Sequence, residues 1–388
     1  MDQRRLEQMD LDAKAQLTRL QSLLTLPRET IPRLTPQVVR SVLRGAGDRL
    51  GLEFIEIEGV TPIFLLLPQD EGGTQTTLFQ TWHSESLPTS PGSVEGAERL
   101  ALGAALAAME AVMGLGGRGE GASPRLALVV APAATSGSQT LDAALREHRG
   151  RIEAGAVAWI RIAAKAPRRR RVFLGARGRM VVGIRGGDGN PYRARDQVVA
   201  ELAEEAYGPR PLDFELIRKI SEQPESNEFL REAAGPISGE GEEWIRSALF
   251  QPRGDVVVPP GAHPERPRAW ISLEIAEAME PETIVGRLAE LTGGQADLVE
   301  RFPWDRSNIH HPVTQAIIAL AKSRSEGPEI WPSSPWPTPS GLFTRALGIG
   351  VAEWAIPLPP GSAFRIPKTE EFEAIASEAA ELLLQTLG

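Results

Sequence analysis

The chain of 388 residues has no cysteine, five histidines and two tyrosines. Disulfides, thiolate zinc sites, iron–sulfur clusters and cysteine nucleophiles are therefore excluded, and any metal centre must be built from the few histidines and from carboxylates. Lysine is almost as scarce. It occurs only at Lys14, Lys165, Lys219, Lys322 and Lys368, leaving 37 of the 42 basic residues as arginine. Both a GC-rich genome and the arginine-rich ion pairing of a heat-adapted protein fit that bias. No apolar run reaches the roughly 20 residues a bilayer requires, since the longest, around Leu100–Met113, is interrupted by Glu110. The first residues, MDQRRLEQMDLDAKAQLTRLQSLL, lack the apolar core of a secretory signal, so a cytoplasmic location is expected and no membrane association. A formal charge of −9 argues against nucleic-acid binding.

What is present reads as alternating helices and buried strands. Leu6 to Leu24 has apolar residues at helical spacing. Thr35 followed by Pro36 starts a second helix that Gly51 ends. Strand-length apolar runs follow in LEFIEIEG, TPIFLLLP and TTLFQTWH, then an Ala/Leu helix over 95–113, a strand over 125–131, a helix over 141–148 and a strand over 156–163. This order predicts an α/β domain with a mostly parallel sheet flanked by helices. At Ala166–Arg171 the texture changes, and strands with one solvated face mix with helices over 194–207, 211–221 and 280–291. That stretch is expected to be an inserted α+β domain. The α/β texture resumes with a helix over 312–322 and a terminal helix over 369–387. The boundaries read as 1–175 and 297–388 for the two parts of the α/β domain and 176–296 for the insertion.

Several motifs stand where strands give way to loops. Trp82-His83-Ser84-Glu85-Ser86-Leu87-Pro88 follows one strand, Pro91-Gly92-Ser93-Val94-Glu95-Gly96-Ala97 opens the Ala-rich helix, and Pro132-Ala133-Ala134-Thr135-Ser136-Gly137-Ser138 follows the next strand. Arg365-Ile366-Pro367-Lys368-Thr369 precedes the terminal helix. Order and motifs together resemble the dinuclear-zinc aminoacylase/carboxypeptidase family, which includes acetylornithine deacetylase, succinyl-diaminopimelate desuccinylase and the glutamate carboxypeptidases. The resemblance implies a zinc-exopeptidase-like fold with a lid domain that dimerises. It places His83 at a zinc-ligand position, Glu85 at its supporting carboxylate and Glu95 at the bridging carboxylate. It also places Ala133 and Ala134 where the family has its general-base Glu and a metal-ligand Glu, and Arg365 where it has the last zinc histidine. Alanine neither takes a proton nor binds a cation, and a guanidinium repels metal. Arg161 and Lys165 stand near the strand end where a further acid is expected. The family's substrate-binding Asp-x-Arg reads Glu274-Ile275-Ala276, and Gly187-Asp188-Gly189-Asn190-Pro191 occupies the region of the lid histidine. Hydrolysis is therefore expected to be lost, with no cofactor and no resident metal.

The remaining signals are less specific. His148 and His263 are isolated, and His310-His311 precede Pro312 as a helix-capping loop. Arg168, Arg169, Arg170 and Arg171 form the one basic run, read either as a solvated boundary or as a contact for an anionic partner. Trp331 and Trp336 stand in a rigid Trp/Pro loop that suits either an interface or packing over the vacated site. Three functions remain open. The chain is a non-catalytic homologue acting through self-assembly or a protein partner, with a homodimer or larger homo-oligomer formed through the lid. Alternatively it is a remodelled metal-dependent amidohydrolase or exopeptidase that uses zinc. Or its former cleft binds a peptide or small carboxylate, with Arg161 and Arg365 as contacts.

Overall fold

The structure is a computed structural model. It describes residues 35–387 except 60–61, 70–74, 83–92, 117–124, 133–137, 153–156, 164–169, 206–209, 224–225, 228, 232–240, 260–265, 276–280, 325–326 and 358–368. The expected helix over Leu6–Leu24 lies outside these residues.

The chain divides into two units. The first comprises Met1–Val172, Ser307–Glu329 and Val351–Gly388, and the second Phe173–Arg306 and Ile330–Gly350. In the first unit, helix α1 (Pro36–Leu50) starts at Thr35, whose Oγ1 accepts from Val38 N at 3.3 Å, and ends at Gly51 with a left-handed φ of 67°. Strands β1 (Glu53–Ile57), β2 (Ile63–Leu67) and β3 (Gln75–Trp82) follow, then α2 (Ser93–Gly116), β4 (Arg125–Pro132), α3 (Ser138–Glu147), α4 (Arg149–Ile152) and β5 (Val157–Ala163).

β1 and β2 run antiparallel to each other, and β2 to β4, whereas β3, β4, β5 and β14 (Val351–Pro357) are parallel. The sheet order is β1-β2-β4-β3-β5-β14, continued by two short strands, β6 (Arg171–Phe173) and β12 (Glu329–Trp331). The uninterrupted apolar runs of β2 and of β4 from Leu126 to Ala131 are wholly buried, as strands covered on both faces require. α2 is buried from Ala101 to Val112, and its alanines admit the close approach of α11 (Thr369–Leu387). The one acid in that stretch, Glu110, is paired with Arg49 of α1 at 2.6 Å.

The second unit is built on β7 (Gly175–Arg185), α5 (Pro191–Glu205), β8 (Arg253–Val257), β9 (Ala269–Ile275), α8 (Pro281–Thr292) and β10 (Gln295–Phe302). Its antiparallel sheet has the order β10-β7-β9-β8, the split βαβ arrangement in which strand 4 lies beside strand 1. Met180, Val182 and Ile184 of β7 and alternate residues of β9 pack against Ala194, Val198, Ile284 and Leu288 of the two helices. Between α5 and β8 the chain inserts α6 (Pro211–Ser221) and α7 (Gly241–Phe250). The sequence pattern missed α7.

The first half of β7 pairs with β11 (Asp305–Arg306) and β13 (Ser334–Pro337), and α10 (Gly341–Leu347) packs on β11. Ile330–Gly350 consequently clusters with the second unit, whereas the sequence reading had placed it in the returning α/β part. The chain re-enters the first unit before α9 (Pro312–Arg324). Among the described residues no helix is long and apolar enough to cross a membrane.

Two local features generate predictions. A Cβ on Gly341 would collide with the Pro303 carbonyl oxygen, whereas one on Gly286, exposed within α8, meets nothing within 4 Å. Gly341→Ala is expected to cost about 1–3 kcal/mol and Gly286→Ala to add about 0.4–1 kcal/mol, both measured by urea unfolding. At the start of α9, His311 Nδ1 accepts from Val313 N at 3.3 Å, which needs a neutral imidazole, and burial lowers the His311 pKa below its ordinary 6.5. The unfolded chain then binds the proton more readily than the folded one, so stability falls as pH drops below about 6.5. His311→Asn keeps a cap acceptor without titrating, and its melting temperature is expected to fall less than the wild type's between pH 7.5 and pH 5.5.

Candidate functional site

In open α/β sheets, ligands bind beyond the carboxyl ends of parallel strands where successive connections leave in opposite directions. That point lies between β3 and β5. β3 leads through α2 to β4 on one side, and β5 leads toward β6 on the other. The ladder opens there as well. β3 and β5 pair at Thr77↔Val157, Leu78↔Ala158 and Phe79↔Trp159, and among the described residues no further pairs form although β3 continues to Trp82 and β5 to Ala163. β3 and β4 stay paired to their ends at Trp82↔Pro132.

His83, Glu85, Ala133, Ala134 and Arg365 lie outside the described residues, as do Arg168 and Arg169. Glu95 is in the first turn of α2. Arg161 is inside β5, in register with Ala355 of β14. Thr81 Oγ1, near the end of β3, donates to Glu98 Oε1 of α2 at 3.1 Å, a link the motif comparison had not singled out.

The metal-ligand positions that the resemblance implies hold one imidazole (His83), one carboxylate (Glu95), one methyl group (Ala134) and one guanidinium (Arg365) in this sequence. Each zinc ion takes about four N, O or S donors, so this set does not fit a dinuclear centre. Among the described residues no three His, Asp or Glu side chains gather to hold a metal.

Four residues read as possible ligand or interface contacts have internal roles. Arg170 donates to both carboxylate oxygens of Glu378 in α11 and, at 2.8 Å, to the carbonyl of Arg324 at the end of α9. Arg171 pairs with Glu329 at 2.6 Å, and both side chains are 2% exposed. Trp331 is fully buried with its ring 5.4 Å from Phe229 and 6.0 Å from Phe173, and Trp336 lies half-buried against the same two phenylalanines. Arg171 and Trp331 therefore offer no surface to a partner. A charge run and a Trp/Pro loop look exposed in sequence because their partners are remote, Glu329 standing 158 positions from Arg171.

Two further arginines carry similar roles in the second unit. Arg177, wholly buried, donates to the carbonyls of Leu249 at 2.8 Å and Ala248 at 3.2 Å, closing the end of α7. Burial brings its guanidinium down to about 9, and the Glu274 carboxylate, 3.5 Å away, opposes that shift. Glu274, at the position where the resemblance implies a substrate-binding aspartate, is a counter-ion here. In the lid-histidine region, Asn190 Oδ1 accepts from Tyr192 N at 2.9 Å and caps α5. Arg306 reaches both oxygens of buried Asp213 at 2.9 and 3.0 Å and covers the Phe250 ring at 4.9 Å.

Removing one partner of a buried ion pair strands the other charge. Glu329→Leu is expected to cost about 3–5 kcal/mol, and Arg171→Met with Glu329→Leu to recover most of that loss, measured by urea unfolding of both single variants and the double variant.

No family model and no characterised protein matches the chain by sequence. Solved structures do match its fold. An M20 family metallo-carboxypeptidase from Sulfolobus solfataricus has a TM-score of 0.64 and 16% identity over 90% of this chain and 95% of its own. Human carnosine dipeptidase 1 has a TM-score of 0.62 and 13% identity over 99% of both chains. The di-peptidase Dug1p from Saccharomyces cerevisiae has a TM-score of 0.61 and 14% identity over 99% of this chain and 98% of its own. The chain therefore has the α/β fold of the M20 metallopeptidases along nearly its whole length.

Proposed function

We propose that the chain is a non-catalytic relative of these peptidases that acts through self-assembly or by binding a partner. The observation that carries this reading is Ala133-Ala134 after β4, at the positions where the family places its general base and a metal ligand. The next acid along the chain, Asp142, is bonded to Arg146 within its own helix. The donor count argues in the same direction and against a zinc cofactor.

Assembly as a homodimer or larger oligomer through the inserted domain is supported by one edge of its sheet. The β10 edge carries a bulge between Leu298 and Glu300 together with Asp297 and Glu300, devices that discourage pairing. The β8 edge ends in Val257, and Val258 follows it, the two 55% and 49% exposed. A second reading, binding of a small carboxylate or peptide in the former cleft, is favoured by the parting of β3 and β5.

Metal analysis combined with native sizing tests the main reading. Substoichiometric metal and a mass of two or more chains are expected, with Val257→Lys shifting the protein toward the monomer. Stoichiometric zinc with metal-dependent hydrolysis of dipeptides or N-acyl amino acids, abolished by His83→Ala, would overturn it in favour of a remodelled enzyme.

A further inference from the structure

The sheet of the first unit ends in β12 on one side and in β1 on the other. β12 is covered, with Glu329 and Trp331 buried. β1 is not. Among the described residues no strand lies along its outer side, and Phe54, Ile55 and Ile57 are only half-buried. Open edges are usually blunted by a bulge, a proline or uncompensated charges that hold another strand off. β1 has none of these. Its residues pair with β2 without a register shift and include no proline. Its two carboxylates are compensated from within the chain. Arg40 donates to both oxygens of Glu56 at 2.6 and 2.5 Å, and Arg151 pairs with Glu53 at 2.7 Å.

The sequence of this edge, Glu53-Phe54-Ile55-Glu56-Ile57, is complementary to itself. A twofold axis perpendicular to the sheet pairs two such edges antiparallel and must pass between one residue and its own copy. Centred on Glu56, the pairing sets two carboxylates face to face. Centred on Phe54, it joins only Glu53, Phe54 and Ile55. Centred on Ile55, it uses the whole strand, with Ile55 against Ile55, Glu53 against Ile57 and Phe54 against Glu56. That register opposes no like charges. It also adds an attraction on the face that α1 covers, where the Arg44 guanidinium lies 5.2 Å from the centre of the Phe54 ring. Glu56 of one copy, opposite Phe54 of the other, comes beside that copy's Arg44, and the twofold repeats the contact. The exposed stripe of α1 that contains Arg44, namely Gln37, Ser41, Arg44 and Asp48, holds one charge of each sign and extends the contact beyond the strands.

We infer that β1 pairs with β1 of a second copy of this chain, antiparallel and centred on Ile55, joining two sheets into one. The inference rests on the self-assembly reading above and adds an interface in the first unit to the one in the inserted domain. A chain with both interfaces binds two neighbours, so the assembly exceeds a dimer.

The absence of cysteine allows a direct test, because one introduced thiol is the only thiol. Residues directly opposite in an antiparallel pair have Cα atoms about 4.5–5.5 Å apart, within disulfide range. Ile55→Cys in the Val257→Lys background, which weakens the other interface, is expected to give a covalent dimer on mild oxidation. Glu53→Cys is not, since four residues at about 3.4 Å each separate it from its own copy along the strand. Native sizing of the otherwise unchanged chain is expected to give more than two copies at tens of micromolar. Ile55→Lys, which opposes two ammonium groups, is expected to raise the dissociation constant of this interface about tenfold, and mixing it with Ile55→Glu to restore the assembly. Melting curves of each variant confirm that it folds. No covalent dimer from a folded Ile55→Cys variant, or an equal yield from Glu53→Cys, overturns the inference. An assembly unchanged by Ile55→Lys keeps self-assembly and overturns the part given to β1, whereas a monomeric wild type overturns both. Metal content and hydrolysis, which decide whether catalysis is lost, are measured independently of the thiol test.

Discussion

The first unit depends on a buried ion pair at the place where its chain leaves and returns. Arg171 and Glu329 lie on two strands of three residues, each next to a point where the chain passes to the second unit. Three-residue strands have little ladder to hold them, here including Glu329 N donating to the Arg170 carbonyl at 3.0 Å. The charged pair adds what so short a ladder lacks. A slip of one residue turns each side chain to the opposite face and separates two ions that have already given up their water. The pair therefore specifies register more than it adds net stability, since two well-packed apolar residues would cost less to bury. Arg170, one residue earlier, extends the same arrangement to the ends of two helices through Glu378 and the Arg324 carbonyl.

The arginine bias acquires a structural meaning from such sites. Arg177 closes the end of α7 on two carbonyls, and Arg306 holds Asp213 through both oxygens while covering an aromatic ring. Each role uses the planar, many-donor guanidinium, and an ammonium would satisfy fewer acceptors at greater desolvation cost. Even with burial bringing Arg177 down to about 9, it stays charged near neutral pH.

Much of this fold was legible in the sequence because local signals decide local structure. Thr35-Pro36 and Gly51 bound α1, and Pro211–Ser221, Pro281–Thr292 and Thr369–Leu387 formed where periodicity placed them. α7 was missed because Trp244 and Ile245 are its only large apolar residues before Leu249, too few for a recognisable stripe. The assignment of Ile330–Gly350 was illegible for another reason. Its β13 is paired to β7, far away in sequence, and nothing local announces a ladder partner. Arg171 was illegible because polarity reports composition while burial is decided by what folds over it, and of the two readings left open for Trp331 its burial agrees with packing. At the candidate site the parting of β3 from β5 is a property of pairing, which no local signal announces.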